Sequence, residues 1–175
     1  DDEERIDQFI DALFPGNPLL CIGSKQSSFN TKPREQWRGA CDKMQFIVPH
    51  EMTAPLGRTL RGKSSPRTNA NTGRRCYQVI EFDQLGFDEQ AAIQVHLAQK
   101  APLVMAVMSG NKSLHGWFNV RNSTEKLQLK FMRYAVSLGA DRAMWTLSQQ
   151  ARLPDGYRPD KQKRHSVIYF NPNNL

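Results

Sequence analysis

Two acids in the segment Tyr77-Gln78-Val79-Ile80-Glu81-Phe82-Asp83 are spaced to act together. Strand side chains alternate faces, so Glu81 and Asp83 point one way and Ile80 and Phe82 the other. Their Cα atoms would stand about 6.7 Å apart. Two carboxylates on one face can converge on a divalent ion, and oxygen ligands suit Mg2+ or Mn2+. The competing account is a strand end with two solvated acids. Further on, Ser109-Gly110-Asn111-Lys112-Ser113-Leu114-His115-Gly116-Trp117-Phe118 joins a turn to a strand. The glycine turn exposes backbone N–H groups that can hold phosphate oxygens. Lys112 adds a point charge, and Ser113 and His115 add donors on the face they share with Trp117. Such a cluster suits a triphosphate, although the G-x-x-x-x-G-K-[ST] loop is absent. A histidine with a purely structural place in a hairpin would look the same. Asp141 follows Leu138-Gly139-Ala140 and serves either as a third acid or as the cap of a following helix. Finally, Arg152 and Arg158 flank Leu153-Pro154-Asp155-Gly156-Tyr157, with Lys161, Lys163 and Arg164 beyond them. Guanidinium groups in such a turn can clamp phosphate, or the turn is a solvated basic hairpin.

The elements that must hold these groups can be read from periodicity and punctuation. Ile6, Phe9, Ile10, Leu13 and Phe14 form one buried stripe of an opening helix, stopped by Pro15-Gly16. Leu19–Ile22 is a short apolar run with strand character. Trp37 and the run from Met44 to Val48 mark further packed structure. Residues 51–75 read as a long basic loop carrying Arg58, Arg61, Lys63, Arg67, Arg74 and Arg75, with no acid after Glu51. Patterned sequence resumes with a strand at Tyr77–Asp83. A helix is expected from about Asp88 to Gln99, with Ile93 and Leu97 on one face. Leu103–Met108 and Ser113–Val120 read as two strands of a hairpin. Asn122 is the expected cap of the next helix, with Glu125 as its capping-box partner. Leu127, Phe131, Tyr134 and Leu138 supply that helix's apolar stripe, and Gly139 ends it. Asp141–Gln150 reads as a short helix, Pro154–Arg164 as a polar turn, and Ser166–Phe170 as a last strand. There are no internal repeats. The mixed order places the chain in the α+β or α/β class with a largely antiparallel sheet, as a single domain over residues 1–175.

Composition narrows the partners. The chain has 175 residues, with 24 Lys and Arg against 17 Asp and Glu, a formal charge of +7. At 39% hydrophobic residues it can bury a core without staples. The positive balance favours an anionic partner, nucleic acid or nucleotide before an acidic membrane surface. No apolar run reaches about 18 residues, so no membrane span is expected. Cys21, Cys41 and Cys76 are widely spaced and odd in number. That argues against a disulfide framework or a zinc ribbon and for isolated thiols in a reducing compartment. The acidic start, DDEER, is the opposite of a secretory n-region, and the missing initiator Met suggests a fragment of a longer protein.

Taken in order, the three acidic and histidine signals resemble the three-motif signature of the archaeo-eukaryotic primase superfamily. They are Glu81-Phe82-Asp83, Ser113-Leu114-His115 and Ala140-Asp141. The phrases VIEFD, SGNKSLHGWF and ARLPDGYRPDKQKRHSVIYFNP look like the primase-polymerase domains of phage and plasmid replication proteins. The resemblance is strongest from about Tyr77 to Pro172; before that it runs only through FPGNPLL and the Arg67–Arg75 segment R-x-N-x-N-x-G-R-R. The sequence departs from the common pattern in having Glu81 for an aspartate and Ala140 for a larger apolar residue. It also has no Cys/His cluster for a zinc-binding insert.

The resemblance implies an RRM-like, largely antiparallel sheet with helices on one face (residues 76–175). Beside it a smaller α/β part, residues 1–75, would be packed. It implies template-directed nucleotidyl transfer, as a DNA primase or DNA polymerase, with Glu81, Asp83 and Asp141 holding Mg2+ or Mn2+. Lys112, Ser113, His115 and Arg152 would bind the nucleoside triphosphate. Arg67, Arg74, Arg75, Arg158, Lys161 and Lys163 would track the DNA template–primer, and the setting would be cytoplasmic or the bacterial nucleoid. A helicase in a longer chain stays open. Two alternatives remain. A non-catalytic DNA-binding replication initiator would gain nothing from clustered acids. A metal-dependent nuclease would have no particular use for a triphosphate cradle.

Overall fold

The computed structural model describes residues 1–175. The first helix, α1 (Asp2–Leu13), opens with a capping box in which the Asp1 carboxylate accepts from the Glu4 backbone N–H. Its buried stripe is Ile6, Ile10 and Leu13, with Phe14 beyond its end, while Phe9, also expected there, is only half-buried. Gly16 then takes φ +86°, a turn conformation that glycine adopts without steric cost. The next segment is more regular than its polar composition suggests. β1 (Leu19–Lys25) and β2 (Ser28–Pro33) form an antiparallel hairpin. The short α2 (Arg34–Trp37) is tied to α1 by Arg34, whose fully buried guanidinium meets Asp7 at 2.8 Å and Asp11 at 2.7 Å. A buried charge persists only when paired in this way.

β3 (Phe46–Ile47) pairs antiparallel with β1. Residues 51–75, expected to be an irregular loop, are held by their own network. β4 (Gly57–Arg58) and β5 (Ser64–Ser65) make a small hairpin, and Asn69–Asn71 forms a 3-10 turn. Asn71 is buried, and its amide donates to Ala54 O and Pro66 O while its side-chain oxygen accepts from the Thr68 N–H. The asparagines of the R-x-N-x-N-x-G-R-R segment thus replace the ladder bonds a longer strand would supply.

The second sheet follows a β-α-β-β-α-β order. It comprises β6 (Tyr77–Ile80), α3 (Phe87–Leu97), β7 (Leu103–Met108), β8 (Leu114–Asn119), α4 (Glu125–Ser137) and, after three short strands, β12 (Val167–Phe170). Those three are β9 (Ala151–Arg152), β10 (Tyr157–Arg158) and β11 (Lys163–Arg164). The hydrogen-bonded order is β12-β7-β8-β6, antiparallel throughout. α3 and α4 cover one face: Phe118 stacks on Phe131, and Gly116 leaves room for Gln94, which a Cβ would strike. The other face carries Tyr77 and Trp117 and packs against α1 through the edge-on pair Phe14–Tyr77. The fold is α+β, as expected. The last link is β9, which leaves the second half of the chain to pair with β3 in the first sheet, giving the order β2-β1-β3-β9. One apolar core joins both sheets.

Several expectations are corrected at the level of single residues. β6 ends at Ile80, so Glu81 and Asp83 lie just past the strand. Thr124, not Asn122, caps α4, because the chain first turns at Val120–Ser123. The buried face of α4 is Gln128, Phe131, Met132 and Ala135, and Leu127 is exposed. Gln128 belongs inside because its amide donates to Val120 O and Ser123 O. The Asp141–Gln150 segment yields only a 3-10 turn, Arg142–Trp145, and the polar turn at 154–164 contains the β10–β11 hairpin. All three cysteines are buried and free, and burial raises Cys21 to about 11 and Cys41 to about 12. Cys21 and Cys41 are therefore inert thiols at neutral pH. No helix is long and apolar enough to cross a membrane.

Candidate functional site

The chain beyond Ile80 keeps the alternation of the strand it has left. Phe82 is fully buried on the helix side, against Leu85 and the Gly139 turn, while Glu81 and Asp83 line an open cavity of about 240 Å³. On β8, His115 shares its face with Trp117, and its Nε2 lies 3.1 Å from Glu81 Oε2. The turn before β8 is held from both ends. Ser109 N–H donates to Ser113 O, Ser113 Oγ donates to Phe82 O at 3.1 Å, and the Gln90 amide of α3 brackets Lys112 O and the Leu114 N–H. Gly110, at φ +76°, lies against the β10–β11 hairpin. That hairpin swings Arg158 in, so that its Nη1 donates to Ser109 O at 3.2 Å.

The opposite wall comes from the first sheet. β9 pairs Arg152 with Phe46, and the guanidinium lies 4.5 Å from the Phe46 ring centroid. Glu81, Asp83, Lys112, Ser113, His115, Arg152 and Arg158 therefore line one cavity, together with Ser109, Asn111 and Gln149–Gln150. Arg158, assigned from sequence to the DNA track, sits here instead of on the outer turn. Gln26 and Phe46 also reach this cavity through β-pairing, and nothing local in the sequence signals that.

Electrostatically the cavity is tense. Burial first, then Asp141, then Asp83, push the Glu81 carboxyl up to about 7. Burial, followed by the charge of Arg152 and the proximity of His165, lowers His115 to about 3. The imidazole is neutral at pH 7, so its contact with Glu81 is a hydrogen bond and not an ion pair. His115 Nδ1 is buried without a partner. Burial and the neighbouring Arg158 also lower Arg152 from its usual range. Asp141 does not line the cavity, yet its charge acts on Glu81 ahead of that of Asp83. Its N–H donates to Glu81 O at 2.9 Å, and its carboxylate caps the 142–145 turn through the Ala143 N–H at 2.9 Å.

No group of three or more His, Cys, Asp or Glu side chains stands in a metal-holding arrangement. Glu81 and Asp83 do offer carboxylate oxygens on one wall, under like-charge strain that a cation would relieve. That donor set fits a hard divalent ion that takes one or two carboxylates and completes its shell with water and substrate phosphate.

The remaining basic residues divide among three places. Arg67 lies over the Phe29 ring and donates to Ser148 O at 2.9 Å, on the flank of a groove beneath the β4–β5 hairpin. Arg74 and Arg75 line a separate hollow with Arg121, and the Arg75 guanidinium stacks 3.5 Å from the Trp145 ring centroid. Lys161 and Lys163 are exposed on the β10–β11 hairpin.

No known protein family matches the sequence, and no curated protein matches it. Among solved structures, the chain is similar to the polymerase domain of Mycobacterium tuberculosis Ligase D in complex with DNA. The two share 12% identity at a TM-score of 0.49, and the similarity covers 89% of this chain and 64% of that one.

Proposed function

We propose that this chain is the catalytic core of a primase-polymerase, extending a nucleic-acid 3′ end by template-directed nucleotidyl transfer. The observation that carries the reading is the shared cavity: Glu81 and Asp83 line it beside Lys112, Ser113 and His115, with Arg152 on the opposite wall and Arg158 brought in by the β10–β11 hairpin. Anionic triphosphate would be drawn to the cationic side. Lys112 and the two arginines bind its phosphate oxygens, and Ser113 and His115 fix its orientation by turning their protons from Phe82 O and Glu81 to the phosphate. Glu81 and Asp83 would hold Mg2+ or Mn2+, with Asp141 as the third acid beside Glu81. A divalent ion bound there neutralises charge on the transferred group and lowers the pKa of the attacking 3′-hydroxyl. Arg67, Arg74, Arg75, Lys161 and Lys163 carry the template–primer, a salt-sensitive contact. A role in phage or plasmid DNA replication follows from the motif resemblance.

The test is incubation with primed template, labelled nucleotides and Mn2+ or Mg2+. Primer extension that vanishes in Asp83→Ala supports the reading. Primer shortening moves the chain to the nucleases, and DNA binding without incorporation under either metal moves it to the non-catalytic initiators.

A further inference from the structure

The β4–β5 hairpin presents a feature that nucleotidyl transfer alone does not require. Its tip is Thr59-Leu60-Arg61-Gly62, and Leu60 is fully exposed. The tip is nonetheless well built. Thr59 N–H donates to Lys63 O at 2.8 Å, Gly62 N–H to Thr59 O at 2.8 Å, and Arg58 Nη1 to Gly62 O at 3.0 Å. Its root is equally fixed, since Gly57 packs so tightly on Thr68 and Asn71 that a Cβ has no room. A stiff hairpin thus holds a bare leucine in water, which favours a partner that covers it.

The surroundings say what that partner is. Beneath the hairpin runs a groove of about 730 Å³ lined by Arg58, Arg61, Lys63 and Arg67, with no carboxylate among its lining residues. Its far wall is Ser148, bonded to Arg67 and Asn69, and the next two residues, Gln149 and Gln150, line the cavity of Glu81 and Asp83. Groove and cavity are therefore joined by consecutive residues of one segment, 148–150. The geometry points to the hairpin as a wedge at a single-strand/double-strand junction. The phosphates of a DNA strand leaving the cavity lie in the groove, and Leu60 presses between bases at the junction. Apolar side chains flanked by Arg and Lys unstack base steps in this way. The inference rests on the polymerase reading only in placing the strand's end in the cavity.

The test uses a primed template with 2-aminopurine at the junction, without metal or nucleotide, so that no chemistry is needed. Wild-type binding should raise the 2-aminopurine fluorescence. Leu60→Ala should abolish the rise, while affinity by anisotropy, carried mainly by phosphate contacts, falls less than about tenfold. Leu60→Phe should restore it. Leu60 packs on nothing, so these variants leave the fold intact. An unchanged signal in Leu60→Ala, junction binding without any signal, or no DNA binding overturns the wedge. Primer extension is measured separately. Extension without the fluorescence response removes the wedge and leaves the polymerase. The response without extension under either metal does the reverse.

Discussion

The cavity between the sheets and the groove beneath the β4–β5 hairpin handle charge in opposite ways. In the cavity, groups of both signs are partly withdrawn from water. The cost is visible in a Glu81 carboxyl raised to about 7 and a His115 imidazole lowered to about 3. In the groove the charges are of one sign, and Arg58, Arg61 and Lys63 are exposed. Charges in water act weakly and are screened beyond about 8 Å at physiological salt, whereas desolvated charges act strongly over a few ångströms. One region is therefore suited to holding a reacting group in register, the other to attracting and guiding a polyanion. The difference teaches that net charge, the bluntest property of this chain, describes the groove and says almost nothing about the cavity.

The contrast can be broken most severely at Glu81. Glu81→Gln keeps the volume and removes the charge, so primer extension should fall by about a thousandfold if the acid holds a catalytic ion. DNA affinity measured without metal should hold or rise slightly. Parallel losses in both assays would erase the distinction between the two regions. His115→Ala comes next. Losing a hydrogen bond to a charged phosphate should weaken nucleotide binding by about tenfold to a hundredfold, with template binding nearly unchanged; equal losses refute the assignment.

The third prediction concerns pH. His50 and His115 are lowered to about 3 and His165 to about 4, in each case chiefly by burial, against an ordinary value of 6.5. Below pH 6.5 the unfolded chain takes up protons that the folded chain refuses, so each histidine lowers stability as the medium is acidified. Glu81 acts in the other sense. Its raised carboxyl keeps a proton in the fold that the unfolded chain loses above 4.5, a contribution lost as pH rises through about 7. Three histidines outweigh one glutamate, so the melting temperature should fall between pH 7 and pH 5. A higher value at pH 5 means the imidazoles are not held neutral. The smallest effect belongs to the groove. Arg61→Ala should reduce the slope of log affinity against log salt by about 0.9, leaving extension at saturating DNA unaltered. An unchanged slope takes Arg61 off the phosphate path.

Much of the frame was legible because it is local. The α1 stripe, the β7–β8 hairpin and the alternation of Glu81 and Asp83 against Phe82 follow from periods of 3.6 and 2, which need no distant partner. What failed to read was polar structure bought by long-range hydrogen bonds. Gln90, Gln94 and Gln128 look like surface residues in a helix, yet each is buried, Gln90 and Gln94 against carbonyls of distant segments and Gln128 against the turn that precedes its own helix. The 51–75 segment looks irregular because its order comes from Asn71 and Thr68, not from apolar alternation. Arg158 reads as a surface cation until the β10–β11 hairpin turns it onto Ser109.

By itself, then, the order of residues determined a mixed α and β class with a largely antiparallel sheet, the approximate positions of the main helices and strands, and which acids, histidine and cations could act. Tertiary structure alone decided that β9 returns to β3 and carries Arg152 to the far wall, that Asp141 bonds to the backbone of Glu81 and caps a turn, and that Leu60 stands free above a basic groove. The reason is the range of the forces: backbone periodicity acts over a few neighbouring residues. Strand pairing and desolvation depend on segments as far apart as Phe46 and Arg152, which only the folded chain brings into contact.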